Sequence, residues 1–271
     1  MTHRTFFMLF FLLSYSLTAQ QQVVTYYPPQ YKNIKERYTI LNGDSTQIDG
    51  SYFKYYEEGQ LSMKGEFENG KPNGLFLEFY QSGDTLSKTM YIHGDKTGPF
   101  SVFYQSGIPM QSGTYANNQL DGMISIYFEN GSLKKKSTFT SGLLNGEAKE
   151  YYANGNKKLE FDYAQGKQDG EARSYYETGE LSSVFNYING VISGNYTTYY
   201  KNGKKEWVYA YREGYKNGPY QHYNSEGQLV ENGNYIDGIN TGERKTFYDG
   251  GQPKEIQNFQ LGAKIGINKT F

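Results

Sequence analysis

Residues 146–169 have the sequence GEAKEYYANGNKKLEFDYAQGKQD, and this 24-residue unit recurs along the chain without an insertion or deletion. Its leading glycine returns in phase at Gly50, Gly74, Gly98, Gly122, Gly146, Gly170, Gly194, Gly218, Gly242 and Gly266. Nine full units therefore cover residues 50–265, and a truncated tenth covers residues 266–271. Self-similarity at a fixed period is typical of repeat architectures.

Each unit predicts a β-hairpin. Positions are numbered here as offsets from the leading glycine, which is offset zero. Aromatic residues fill offsets five and seventeen in all nine full units and offset six in eight of them, and a second glycine stands at offset nine. The pair Asn-Gly, Glu-Gly or Ser-Gly between two aromatic segments predicts a two-residue primed turn at offsets eight and nine, because glycine supplies the positive φ. Two glycines within ten residues disfavour a helix.

The register of this hairpin can be tested within the sequence. If offsets eight and nine form the turn, positions whose offsets sum to seventeen face each other. Offset two then faces offset fifteen, and these columns exchange bulk, from Phe100–Gly113 in one unit to Ala148–Phe161 in another. Seven of the nine units pair a large residue with a small one, as close packing requires. The exceptions are Tyr196–Tyr209, which is large against large, and Arg244–Gln257, which is polar.

The expected fold is all-β: an elongated, twisted antiparallel sheet of tandem 24-residue β-hairpin repeats. Because successive side chains alternate between the two sides of a strand, offsets two, thirteen, fifteen and seventeen share one face, which carries most of the aromatic residues. The other face has one aromatic stripe, at offset five, among mostly polar residues. We expect the aromatic face to be concave or covered by the curl of the sheet itself, and the polar face to meet water.

Three segments carry a family resemblance. The motifs GEAKEYYANG (146–155), GEARSYYETGEL (170–181) and YFENGSLKKKSTF (127–139) resemble the MORN repeat in the variant form common in bacterial proteins. The resemblance extends over residues 50–265. It implies a sheet of hairpins that serves as an interaction scaffold, and it brings no catalytic residues. Bacterial members are often labelled as antitoxins by similarity.

Residues 1–19 predict a secretory signal peptide. His3 and Arg4 precede an apolar run over 6–13, and the small residue Ala19 stands before Gln20, where we expect cleavage. A membrane-spanning helix needs about 20 apolar residues, so this run is too short for an anchor. The chain is therefore predicted to be exported to the periplasm, the cell envelope or the outside. Residues 20–49 are expected to form an irregular lead-in and a cap on the array.

Charge and cysteine content narrow the possible functions. Cleavage would remove Arg4 and no acidic residue, so Lys+Arg would fall from 27 to 26 against 28 Asp+Glu, a net charge of −2. Near-neutrality with interspersed signs argues against nucleic-acid binding and gives no strong membrane signal. The chain has no cysteine, which excludes thiol catalysis and cysteine-ligated metals.

The sequence also gives no catalytic constellation. His93 and His222 occupy different columns five repeats apart, so they cannot share a metal ion. Glu147, Glu171 and Glu243 recur beside the leading glycine, and two such carboxylates are one conceivable catalytic pair for glycoside hydrolysis. Recurrence at one offset is better explained by a solvent-facing strand position. We therefore predict no enzymatic activity, no cofactor and no metal site.

The candidate binding residues are Tyr196, Trp207 and Tyr209, because their bulk exceeds what the packing rule requires. Trp207 lies at offset thirteen opposite Thr198, in a column that elsewhere holds smaller residues. Truncating Trp207 is expected to cost little stability but to weaken binding of a partner. The favoured function is a non-catalytic scaffold for another protein. The alternatives are a glycan-binding module that uses its aromatic face, and an antitoxin-like partner of a toxin.

Overall fold

The computed structural model describes residues 20–44 and 47–271, so the predicted signal peptide at 1–19 lies outside the described residues, as do positions 45–46 of the predicted cap. The described residues form 25 β-strands and no helix. No helix with the length and apolarity needed to cross a bilayer occurs in this part of the chain.

The strands follow one another closely along the chain. Their bounds are β1 Gln20–Tyr26, β2 Ile34–Leu41, β3 Ile48–Tyr55, β4 Leu61–Glu68, β5 Lys71–Pro72, β6 Gly74–Phe79, β7 Thr85–Ile92, β8 Asp95–Phe103, β9 Pro109–Ala116, β10 Gln119–Leu120, β11 Gly122–Tyr127, β12 Leu133–Thr140 and β13 Leu143–Tyr151. The remaining strands are β14 Lys157–Ala164, β15 Lys167–Gln168, β16 Gly170–Tyr175, β17 Leu181–Ile188, β18 Val191–Ile192, β19 Gly194–Tyr199, β20 Lys205–Arg212, β21 Tyr215–Tyr223, β22 Leu229–Ile236, β23 Ile239–Phe247, β24 Pro253–Gln260 and β25 Ala263–Thr270.

All strands belong to one antiparallel sheet in which each long strand pairs with the long strands before and after it, while the two-residue strands β5, β10, β15 and β18 pair with the strand before them. Among the described strands, β1 pairs only with β2 and β25 only with β24, so the sheet is a linear array of hairpins. The strands β1 and β2 extend the array before the first full repeat. The predicted all-β architecture of tandem hairpins is therefore confirmed.

The predicted register within each repeat is observed. Phe100 pairs with Gly113, Ala148 with Phe161, and Tyr196 with Tyr209. Each leading glycine of the nine full repeats faces the aromatic residue at offset seventeen, as Gly146 faces Tyr163. Gly113 shows why the small partner matters: a Cβ placed there would lie 2.2 Å from Cδ1 of Ile124.

The predicted turn type within the repeat was wrong. Gly59 donates its N–H to the carbonyl of Tyr56 (2.9 Å), and Tyr56 donates to the carbonyl of Gln60 (2.8 Å). These bonds define a three-residue loop at 57–59, in which only Gly59, at φ +97°, has a positive φ. That is a type I turn followed by a glycine bulge, and it shifts the register by one residue between Lys54 and Tyr55.

The two-residue primed turn occurs instead between repeats. Asn69 and Gly70 have φ values of +51° and +76°, and the residues beside them, Glu68 and Lys71, pair directly. Positive φ at both central residues is the mark of a type I′ turn, whose twist matches that of the flanking strands. The same geometry recurs at offsets nineteen and twenty through Leu261–Gly262.

A ladder of tyrosine hydroxyls links successive repeats. The tyrosine at offset six donates its hydroxyl to the main-chain carbonyl 23 residues further on, as in Tyr152 to Tyr175 (2.9 Å). Tyr27 in the cap makes the equivalent bond to the carbonyl of Tyr55 (2.7 Å). The other members are Tyr56, Tyr80, Tyr104, Tyr176, Tyr200 and Tyr248. The ladder couples each repeat to the next through side chains as well as through the sheet.

The buried residues lie mainly on the predicted aromatic face. Offset two provides Phe76, Phe100, Ile124, Ala148, Ala172 and Tyr220, and offsets thirteen and fifteen provide Ser87, Ser137, Ser183 and Gln257. The exposed large apolar residues lie largely on the opposite face and at the turns, as with Leu75, Met123 and Ile188. The core is therefore a narrow stripe that crosses the strands along the whole array.

Candidate binding surface

The candidate surface lies where this core stripe becomes crowded. Tyr209 pairs with Tyr196 within its own hairpin and with Tyr220 across the next strand boundary. The ring of Tyr196 stacks on that of Phe185, with centroids 4.9 Å apart. Four large residues, Phe185, Tyr196, Tyr209 and Tyr220, therefore follow one another where large and small residues alternate elsewhere.

Trp207 stands beside this crowded stretch and is half-buried. Its indole is parallel to the imidazole of His222, with an interplanar angle of 4° and centroids 3.8 Å apart. It is also parallel to the ring of Tyr209, at 9° and 5.3 Å. On the strand that precedes Trp207, Thr198 has a short side chain. Its hydroxyl accepts a hydrogen bond from the main-chain N–H of Trp207 and donates one to Glu206. The indole is thus stacked on His222 of the next strand, whereas the preceding strand places the short side chain of Thr198 beside Trp207.

A cation borders the same cluster. The ammonium of Lys216 lies 3.6 Å from the ring centroid of Tyr209 and 5.2 Å from that of Tyr235. Removal from water lowers the pKa of Lys216 and raises the pKa of Tyr209 above its ordinary range. Cation–π attraction offsets part of the desolvation of the ammonium.

Tyr220 closes the cluster towards the C-terminus. It is 3% exposed, and its hydroxyl donates to Oε1 of Glu231 (2.8 Å). Burial, followed by that hydrogen bond, raises the pKa of the Tyr220 hydroxyl. Glu231 also pairs with Arg244 at 2.8 Å, so its charge is balanced inside the protein. The arrangement provides ring faces and one cation, which suit binding by stacking and charge.

The three predicted residues do not form one contiguous ring cluster. Trp207 and Tyr209 stack on each other, whereas the ring of Tyr196 contacts Phe185 of the preceding repeat and Tyr211 of its own repeat. Neither His222 nor Lys216 is among the binding residues that the sequence predicts. His222 could have been found, because the register continued across the repeat boundary pairs it with Trp207.

The carboxylates that recur beside the leading glycine are each paired with a cation two residues further along the strand. Glu147 contacts Lys149 at 2.6 Å, Glu243 contacts Lys245 at 2.6 Å, and Glu171 contacts Arg173. This is the geometry of a solvated strand face. Within the described ranges, no group of His, Asp and Glu side chains could hold a metal ion.

The fold and its repeat define the class of protein: a linear array of β-hairpins joined by type I′ turns. The family model described as MORN repeat variant matches five segments of the chain, residues 48–69, 120–140, 144–165, 168–189 and 240–261. The chain is a MORN repeat protein of this variant type, and as such a repeat scaffold. None of the curated proteins matches it.

Among solved structures, the chain is similar to part of two toxin assemblies. The match to the TcdB2–TccC3–Cdc42 complex has 14% sequence identity and a TM-score of 0.22. It covers 93% of the present chain and 15% of the matched chain in the complex. With the Photorhabdus luminescens Tc holotoxin pore carrying a TccC3 mutation it shares 12% identity at a TM-score of 0.19, over 88% of this chain and 14% of that chain. The chain thus spans about one seventh of the length of the proteins that these structures contain.

Proposed function

We propose that this protein is an exported, non-catalytic scaffold that binds another protein through the surface around Trp207 and Tyr209. The observation that carries the proposal is the break in the packing pattern. The repeat needs one large and one small residue across each hairpin, and here it has surplus rings together with a half-buried indole that is stacked on His222 and Tyr209. Aromatic residues that the fold does not require are the usual anchors of protein interfaces.

The chemistry around these rings suits a partner that offers an apolar side chain next to a carboxylate. The apolar group would lie against the half-buried Trp207 indole, beside Thr198. The carboxylate would meet the Lys216 ammonium, whose contacts are the faces of Tyr209 and Tyr235. An ammonium over rings keeps hydrogen-bond donors that an anionic group can use.

A glycan is the second candidate ligand, on the strength of the hydroxyl groups beside the indole. The half-buried Ser174 and Thr198 carry hydroxyls on the strands that precede Trp207, on either side of the buried Ser183. Sugars stack their apolar side on rings and exchange hydrogen bonds with hydroxyls, so this edge has the right chemistry for one.

The proposal that the protein is exported rests on the apolar run at 6–13 and the small residue Ala19.

The test is a comparison of Trp207→Ala with Gln111→Ala, which removes a side chain at the same offset in an ordinary repeat. Proteins retained from cell-envelope extracts by the unaltered chain are identified, and each is titrated against both variants. We expect Trp207→Ala to weaken the true partner by about 2 kcal/mol, or roughly 30-fold, and Gln111→Ala to leave it unchanged.

Two results would contradict the proposal. One is a partner whose affinity does not respond to Trp207→Ala. The other is a loss of about 3–5 kcal/mol in the free energy of unfolding, the cost of truncating a core tryptophan, because Trp207 would then serve the fold itself. The glycan alternative is tested by the same variants and the fluorescence of Trp207, which is the single tryptophan of the sequence. Quenching by oligosaccharides without any protein partner would favour it.

A further inference from the structure

The polar face of the sheet loses its charges from strand β17 to strand β22 and the first residue of β23. Its side chains come from offsets one, three, fourteen, sixteen, eighteen and twenty-one. We call this surface the neutral face, and its members are Val184, Asn186, Ile188, Val191, Asn195, Thr197, Val208, Ala210, Arg212, Tyr215, Pro219, Gln221, Asn232, Asn234, Ile236 and Ile239. Arg212 is its one charged residue. In the repeat at 146–169, the same offsets hold Glu147, Lys149, Glu160, Asp162 and Lys167. Depletion of charge is the compositional mark of an interface core.

The margin of the neutral face beside the type I′ turns is an exposed apolar ridge. Ile188 is 52% exposed, Val191 42%, Tyr215 62%, Ile236 52% and Ile239 45%. These residues flank consecutive turns, and Ile188 pairs with Val191 and Ile236 with Ile239. The ridge lies on the face opposite to Trp207. Exposed apolar residues that adjoin one another in this way are characteristic of contact surfaces.

The pattern of the ridge is palindromic about the line between β20 and β21. In strand order it runs Ile188, Val191 and Arg212 on one side, then Tyr215, Ile236 and Ile239 on the other. The adjacent row runs Asn186, Asn195, Ala210, then Pro219, Asn234, Glu243. The six ridge positions and the inner four of the adjacent row thus have a chemically suitable counterpart at the same distance from the line: apolar with apolar, amide with amide, and guanidinium with phenol ring. Only Asn186 has a charged counterpart, Glu243, which lies outside the neutral face and pairs with Lys245.

We infer that the neutral face binds a second copy of this chain. A two-fold axis parallel to the strands, between β20 and β21, reverses the array while keeping the ridge at the same level. Val191 then meets Ile236 of the second copy, Ile188 meets its Ile239, and Arg212 meets its Tyr215. The last contact is a cation–π pair formed twice, and it adds to the ion pair that Arg212 already makes with Asp237 at 3.6 Å. Two sheets packed in this way lie about 10 Å apart.

The area sets the strength of this dimer. Six strands at about 4.8 Å and five residues at about 3.4 Å give roughly 30 by 17 Å, or about 500 Å² for each copy. About 1,000 Å² in total is at the lower end for a specific interface. The dimer should therefore dissociate on dilution, with a Kd in the micromolar range rather than the nanomolar range.

The test uses the full chain and a matched control. Sedimentation from about 1 to about 300 µM should show the mass doubling with concentration. Ile236→Asp should weaken the dimer at least tenfold, whereas Ile92→Asp should not, because Ile92 has the same offset and a similar exposure of 50% but lies outside the neutral face. Binding of a protein partner at Trp207 is measured separately and does not depend on this outcome.

The register of the two copies is tested by disulfide trapping, which the absence of native cysteine makes clean. A mixture of Val191→Cys and Ile236→Cys chains should cross-link as a heterodimer faster than either chain alone. A strictly monomeric mass at about 300 µM would overturn the inference. So would a dimer that responds equally to Ile236→Asp and Ile92→Asp, or a mixture that cross-links no faster than the single variants.

Discussion

The tyrosine ladder can be tested in both directions within one column of the repeat. Tyr152→Phe removes only the hydroxyl that donates to the carbonyl of Tyr175 (2.9 Å), and it leaves the ring in place. A hydrogen bond of this kind contributes about 0.5–1.5 kcal/mol net. Because the bond is part-buried, water can partly replace the lost donor, and we expect a loss of about 1 kcal/mol in the free energy of unfolding.

The opposite change is offered by Phe128, which occupies the same offset without a hydroxyl. Phe128→Tyr would place a donor towards the carbonyl of Tyr151, 23 residues further on, and should stabilise the chain by about 0.5–1 kcal/mol. Urea denaturation measures the total effect, and hydrogen exchange locates it. Since a repeat contacts mainly its neighbours, the change in protection should be confined to the strands around the altered bond.

The ladder interpretation would be refuted by a Tyr152→Phe chain as stable as the unaltered chain, combined with no gain from Phe128→Tyr. A loss of protection spread evenly over all repeats would also contradict it, because the bond would then act on the whole array.

Three further predictions concern packing, backbone and pH. Gly113→Ala should lower the free energy of unfolding by about 1–3 kcal/mol, because the added Cβ would lie 2.2 Å from Cδ1 of Ile124. Adding Ile124→Val removes that carbon and should restore part of the loss, as measured by urea denaturation. Gly146→Val should cost about 1–3 kcal/mol, mainly because φ is +99°, and an unchanged midpoint would count against this. Burial and the hydrogen bond to Glu160 raise the pKa of Tyr175 from 10.0 to about 12. As pH rises, the Tyr175 hydroxyl therefore loses its proton in the unfolded chain before it does so in the folded chain. Thermal stability should fall as pH rises from about 10 to 12.

The sequence predicted the hairpins and their register because two physical constraints repeat in it. Alternation fixes which side chains share a face, and exchange of bulk between offsets two and fifteen fixes which residues oppose each other. It did not distinguish the two kinds of turn. Asn-Gly suits a type I′ turn, but glycine after a type I turn satisfies a three-residue loop equally well. The order Asn154-Gly155 is therefore compatible with either geometry.

The hydroxyl ladder and the position of Lys216 could not be predicted from the pattern. The hydroxyl of Tyr152 donates to a main-chain carbonyl. Every residue type has such a carbonyl, so the identity of the residue at the acceptor position does not reveal the bond. Lys216 pairs with Tyr211, whereas an unshifted register would place Gly218 there. The shift comes from the bulge between β20 and β21. The added Cβ at Gly146 likewise would contact Thr138 of the preceding strand, at 3.6 Å, rather than the facing Tyr163 that the register alone suggests.

The crowding at Trp207 follows from a change of phase in the core stripe. Large residues stand at offset two up to Ile124, move to offset fifteen at Phe161, and return to offset two at Tyr220. The first change sets two small residues side by side, Ser137 and Ala148, and leaves the Ser137 hydroxyl buried without a hydrogen-bond partner. The second change sets large residues against one another. A repeat that packs one large side chain against one small one has no internal use for that excess, and this is why a ligand is expected at the second change rather than the first.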